Sequence, residues 1–195
     1  MPKDLSATSL RIHNAIVAET AEKGIGAVAM LPIAKRAKVS AGTLYNRYAS
    51  KEDMLQQTYL QIKHRYHAQL MQVGSGPSNQ VIRRLWINFF AFIQDRPQEL
   101  LFLEYAGAAQ LLTDAQRAEI APMQAEVSGL VQTALDDGTM RPIPLSVAID
   151  LLMGAALTLA RRHALAGNTA PISEIDTTFE TLWSVLRAEP QAPKD

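Results

Sequence analysis

The chain has 195 residues, 48% of them hydrophobic, enough for one large core or two small ones, so disorder is excluded as the default. It has no cysteine, which excludes disulfide staples and thiolate chemistry, and its 19 basic residues are matched by 19 acidic ones, which excludes general stickiness toward polyanions. No apolar h-region follows the charges of "MPKDLSATSL" and no apolar run approaches the roughly 18 residues that cross a bilayer, so the expectation is a soluble, cytoplasmic protein without a membrane partner.

Apolar spacing reads as helix nearly throughout, and no alternating strand pattern persists. A first helix is predicted over 7–23, ending at the C′ glycine Gly24, and a second over 30–37, with Pro32 tolerated in its first turn. Ser40 caps a third at 41–47 and Ser50 a fourth at 51–73, with Asp53 as a short-armed capping-box partner. "GSGPSN" at 74–79 is the clearest linker. Helices over 79–95, 97–111, 114–137, 145–166 and 172–188 complete the chain, and Pro122 is expected to kink or split the third of these. The fold class is all-α: three short helices within 1–54, then, at 55–195, the rest of a connecting helix and five longer ones.

Charge is uneven along this order. Residues 1–54 carry eight Lys/Arg against five Asp/Glu, and from Lys35 to Lys51 there are five basic residues and no acid. Such a patch on a neutral chain points to a localised polyanion contact, with a solvated helix face as the alternative. Two short helices joined at Lys38-Val39 make a helix-turn-helix, held at a fixed angle by Ile33, Ala34, Ala37, Val39 and Leu44. The start of the second helix would enter a major groove. Ser40, Ala41 and Gly42 would let backbone amides approach, Thr43, Tyr45, Asn46 and Tyr48 would offer hydrogen-bonding groups, and Lys38 and Lys51 would meet phosphate.

These residues carry a resemblance. "AEKG" at 21–24 and "IAKRAKVSAGTLYNRYASKEDML" at 33–55 resemble the N-terminal signature of the TetR family of bacterial one-component transcriptional regulators, and the helix order agrees over the whole chain. The resemblance implies an N-terminal helix-turn-helix DNA-binding domain at 1–54 and a C-terminal helical ligand-binding and dimerisation domain at 55–195, in a repressor that binds a palindromic operator in double-stranded DNA as a homodimer and leaves it when a small molecule enters the C-terminal domain. The chain departs from the family pattern at several places. Lys38 replaces the turn glycine, so the turn must avoid positive φ or accept strain. Val28-Ala29 replaces the capping hydroxyl pair, Leu31-Pro32 a commonly polar pair, and Glu19-Thr20 large apolar residues of the first helix. These departures motivate an alternative, a helical small-molecule-binding protein with weak or lost DNA binding.

Trp86, Phe90, Phe102 and Tyr105, with Phe89 and Phe92, form an aromatic group that reads as core or as the wall of an effector pocket. Glu104, set among apolar neighbours, either meets a ligand or sits at the surface beside Arg83 or Arg84, and Met123 and Met153 would give an adaptable wall. The effector expected is a largely apolar molecule. His64 and His67 have a metal-compatible spacing, but Lys63 and Arg65 make the site electrostatically poor, so no metal and no cofactor is expected. "VGSGP" lacks the strand and spacing of a nucleophile elbow, so no enzyme is expected. The last two helices are apolar and rich in small residues: Leu152, Ala155, Leu159, Phe179, Leu182, Trp183 and Leu186 are the candidate dimer interface, or pack only within the protomer.

Overall fold

In the computed structural model, which describes residues 7–189, the helices follow the apolar periodicity closely. They are α1 (Ala7–Lys23), α2 (Met30–Ala37), α3 (Ala41–Tyr45), α4 (Lys51–Leu70), α5 (Ser78–Gln94), α6 (Pro97–Ala108), α7 (Asp114–Asp136), α8 (Leu145–Leu165) and α9 (Ile172–Leu186), with a single 3-10 turn at Ile25–Ala27. No strand occurs among the described residues. Helix ends follow local chemistry. Gly24, at φ 75°, closes α1. Ser50 Oγ accepts the Asp53 N–H at 3.0 Å while Asp53 Oδ2 accepts the Ala49 N–H at 2.9 Å, a reciprocal cap at the head of α4.

Helix ends and Pro122 differ from expectation. α3, α4, α6 and α9 stop two, three, three and two residues early, respectively, and α7 runs unbroken through Pro122. Proline removes one backbone donor there, and the side of α7 that buries Ile120, Val131 and Ala134 keeps the helix whole.

The described residues divide into two compact units, one running to Arg65 and taking in Gln98–Ala118, the other made of Tyr66–Pro97 and the residues from Glu119 onward. The expected boundary at residue 54 therefore differs from the compact unit, which runs on through α4 to Arg65 and takes in most of α6. In the first unit Ile12, Ile16, Ile33, Leu44, Met54, Ile62 and Phe102 are fully buried. α1 and α2 pack closely, and α3 packs on α2. In the second, α5, α8 and α9 pack on one another around Ile82, Trp86, Phe89, Ala156 and Phe179.

Candidate nucleic-acid interface

The helix-turn-helix is built on α1. Ile33, Ala34, Ala37 and Leu44 are buried and Val39 is half-buried, as their spacing predicts. Arg11 Nε donates to the carbonyl of Ala37 at 3.2 Å, satisfying the C-terminal end of α2. An Arg47 Nη1 donates to Ser9 Oγ at 2.6 Å, tying the end of α3 back to α1.

The turn accepts strain. Lys38 sits at φ 55° and ψ 48°, the left-handed region, with its N–H on the Lys35 carbonyl at 3.2 Å and the Val39 N–H on Ala34 at 3.0 Å. A Schellman-type closure demands that geometry whether or not the residue is glycine. Beyond it, Ser40 Oγ accepts the Thr43 N–H at 3.1 Å and lies 2.8 Å from Thr43 Oγ1, so the first turn of α3 is capped. Ser40, Gly42, Thr43, Asn46 and Tyr45 (58%) are exposed and Ala41 is half-exposed, forming one polar, small-residue edge. A Cβ added at Gly42 would meet only Ser40 Oγ, at 3.7 Å, so nothing inside the protein requires glycine there.

Two expectations are corrected, and a third residue, Lys51, has a partner within the protein. Tyr48 is only 4% exposed; it belongs to the core, with burial pushing its phenol pKa up and Arg47 stacked 5.7 Å from its ring. Arg36, counted in the basic patch, is turned toward α1, where it holds Glu19 at 3.3 Å and donates to Glu22 at 2.8 Å. Lys51 Nζ donates to the Gly26 carbonyl at 3.0 Å. The cations left presented by α2 and the turn are Lys35 and Lys38, both exposed. The missing hydroxyl cap is also visible: Ala29 occupies the N-cap of α2 without a side-chain bond.

The second unit holds a cavity of about 70 Å³ whose lining contains no charged residue. Of the residues named for an effector wall, Trp86 and Met153 line it, together with Tyr66, Phe89, Val131 and Ala156 among others. Phe90 borders a smaller cavity of about 20 Å³. Phe102, Glu104 and Tyr105 lie on α6 in the other unit, where Phe102 is fully buried, and Met123 is not among the lining residues. Sequence patterning placed Glu104 among apolar neighbours but carried no signal of which unit α6 joins. The Trp86 indole N–H donates to the Ile175 carbonyl at 3.1 Å, so that polar group of the wall is satisfied.

On α8 and α9 the expected interface residues divide. Leu152, Leu159, Phe179 and Leu186 are buried within their own unit, because α5, α8 and α9 pack on one another. Ala155, Leu182 and Trp183 are half-exposed, and Val147 (42%), Leu151 (41%), Val185 (53%) and Ile172 (70%) present apolar surface that the sequence reading did not single out. Among the described residues no group of three or more His, Cys, Asp or Glu side chains could hold a metal, and no helix is long and apolar enough to cross a membrane.

An all-α chain with a capped, exposed recognition helix in a helix-turn-helix defines a DNA-binding regulator class. Comparisons with known proteins agree. Residues 12–58 match the family described as bacterial regulatory proteins, tetR family, and residues 77–187 match a tetracyclin repressor-like C-terminal domain. The chain is 30% identical over 138 residues, 68% of each chain, to the uncharacterized HTH-type transcriptional regulator YdeS of Bacillus subtilis. Its fold matches that of a TetR family transcription regulator from Marinobacter aquaeolei (TM-score 0.81, 21% identity, covering 94% and 97% of the two chains). It also matches a TetR-family transcriptional regulator from Haemophilus influenzae (TM-score 0.68, 20% identity, 92% and 96%). The chain belongs to the TetR family of bacterial transcriptional regulators.

Proposed function

We propose that this regulator is a cytoplasmic repressor that binds a palindromic operator as a homodimer and releases it when a small, uncharged, apolar molecule enters the cavity of the second unit. The observation that carries the reading is the edge of α3. Its exposed positions are small or hydrogen-bonding, its glycine is dispensable to the fold, and Lys35 and Lys38 stand beside it. Phosphate contacts would supply affinity, and Thr43, Tyr45 and Asn46 would read base edges. Val147, Leu151 and Val185, with Ala155, Leu182 and Trp183, would cover the same surface of a second copy, setting two recognition helices on successive major grooves.

The cavity supports the effector half of the reading. The polar side chains on its lining are the Tyr66 phenol, the Trp86 indole, whose N–H donates to the Ile175 carbonyl, and the Ser128 hydroxyl, which donates to the Gln124 carbonyl at 2.9 Å. A charged ligand would lose its hydration there without a partner. The volume, about 70 Å³, is below the ~150 Å³ that accepts a benzene ring in a dry protein cavity. An occupant with a ring must therefore push the walls apart, and that differential cost is what lets a ligand shift a conformational equilibrium.

A gel shift on the DNA immediately upstream of the coding sequence tests the proposal: a discrete complex with two protomers per duplex is expected, lost on changing Asn46 and Thr43 to Ala. Retarded complexes no tighter than those on unrelated duplex of equal length would favour the alternative, a ligand-binding protein with weak or lost DNA binding.

A further inference from the structure

The chain leaves the N-terminal unit between Arg65 and Tyr66 and re-enters it between Pro97 and Gln98. Residues beside these two crossings are bonded to each other. Arg65 Nη2 donates to Glu99 Oε1 at 2.8 Å. The same oxygen accepts the Nε2–H of His13, from the middle of α1, at 2.8 Å. Glu99 and His13 are 4% and 3% exposed, and the Arg65 side chain 28%. Glu99 Oε2 and His13 Nδ1 are buried with no hydrogen-bond partner among the described residues, so three helices hang on one carboxylate oxygen. Burial pushes the Glu99 pKa up, but the bonds from His13 and Arg65 outweigh it and hold the carboxyl below its ordinary range.

Stability alone does not call for this arrangement. A buried charge cluster of this kind is commonly no more stable than apolar side chains of similar volume, whereas loss of one partner is costly. What the cluster does have is a place beside both points where the chain passes between the two units. Arg65 is followed directly by Tyr66, which lines the apolar cavity. An occupant that displaced Tyr66 would act on the α4 residue next to the one that grips Glu99. His13 lies on the helix that anchors both α2 and α3, through Arg11 and through Ser9.

We infer that the Glu99 carboxylate, bridged by His13 and Arg65, is the positioning element that transmits occupancy of the cavity to the operator-binding helices. The inference rests on reading that cavity as the effector site. Its test needs no identified effector, because a larger side chain can act as a permanent occupant. Ala156 lines the cavity and is 3% exposed, so Ala156→Val fills it from α8. Operator dissociation constants are measured by fluorescence anisotropy on the upstream duplex for the native chain, Ala156→Val, Glu99→Gln and the double variant.

Ala156→Val is expected to weaken operator binding by about tenfold, within the usual span of allosteric coupling. In the Glu99→Gln background the same change should leave the constant within about twofold, the limit set by additivity of independent sites. An equal loss in both backgrounds would overturn the clasp while leaving the effector site standing. No loss in either background would overturn the effector site, and the clasp with it. If Glu99→Gln does not fold, Arg65→Ala carries the same cycle at the half-exposed end of the cluster, with Arg65→Lys restoring the coupling. A merely structural role would lower the melting temperature and leave the two operator ratios equal.

Discussion

The Arg36 guanidinium on α2 lies 3.3 Å from the Glu19 carboxylate on α1, and it also holds Glu22. Glu19 is 5% exposed and stands where the family resemblance leads one to expect a large apolar residue. The acid is tolerated because Arg36 answers it from one side and Lys23, at 2.7 Å, from the other. Arg36 thus serves the angle between α1 and α2 before it serves DNA. Arg36→Ala should lower stability by about 1–3 kcal/mol, the cost of leaving a buried group short of a partner. Urea denaturation measures that loss. The salt slope of operator binding should stay within error of the native value, because the side chain does not meet phosphate.

Lys38 holds a left-handed backbone that costs an ordinary residue about 1–2 kcal/mol. Lys38→Gly removes that cost and adds roughly 0.5–1 kcal/mol of unfolded-state entropy. The net expectation is a modest rise in the urea midpoint at unchanged m. Operator affinity should fall at the same time, with a salt slope shallower by about 0.9, one phosphate contact. A lowered midpoint would mean that the lysine side chain, not the turn, sets stability here.

Gly42 offers a pair of opposite signs. Ala at a helical glycine position stabilises by up to about 1 kcal/mol, and nothing within the protein obstructs the new methyl group. The same methyl would stand between the α3 backbone and the duplex. Gly42→Ala should therefore raise the melting temperature and weaken operator binding together. Weaker binding without the gain in stability would place the glycine's role inside the fold.

Leu151 and Leu152 are neighbours on α8 with different surroundings: Leu151 is 41% exposed, Leu152 only 9%. Leu151→Asp should leave a folded protomer that sediments as a monomer and binds operator poorly. Leu152→Asp buries an unpaired charge and should prevent folding, costing several kcal/mol in order-of-magnitude terms. A folded, dimeric Leu151→Asp variant would place the interface on another surface.

Periodicity and caps made most of the fold legible. Gly24, Ser40 and Ser50 mark helix ends by backbone chemistry alone, and the spacing of Ile33, Ala37 and Leu44 defines the packed face. Partnerships between distant residues were not legible. A basic residue such as Arg36 looks the same in sequence whether it faces phosphate or Glu19. Tyr48 reads as a polar ring until packing buries it. His13 and Glu99, 86 residues apart, gave no signal of their bond. Leu152 and Phe179 are apolar enough for an interface or a core, and only the mutual packing of α5, α8 and α9 decides for the core.

The most direct test of the central proposal is enrichment of bound duplexes from a random-sequence pool by the native chain, followed by sequencing. Two inverted half-sites at a fixed spacing of about one helical turn are expected from a two-fold symmetric pair of recognition helices. The same selection with Thr43 and Asn46 changed to Ala should lose the half-site consensus while retaining weak, salt-sensitive binding. Failure of the native chain to enrich any sequence, or enrichment of a single unrepeated half-site, would contradict a dimeric operator-reading repressor.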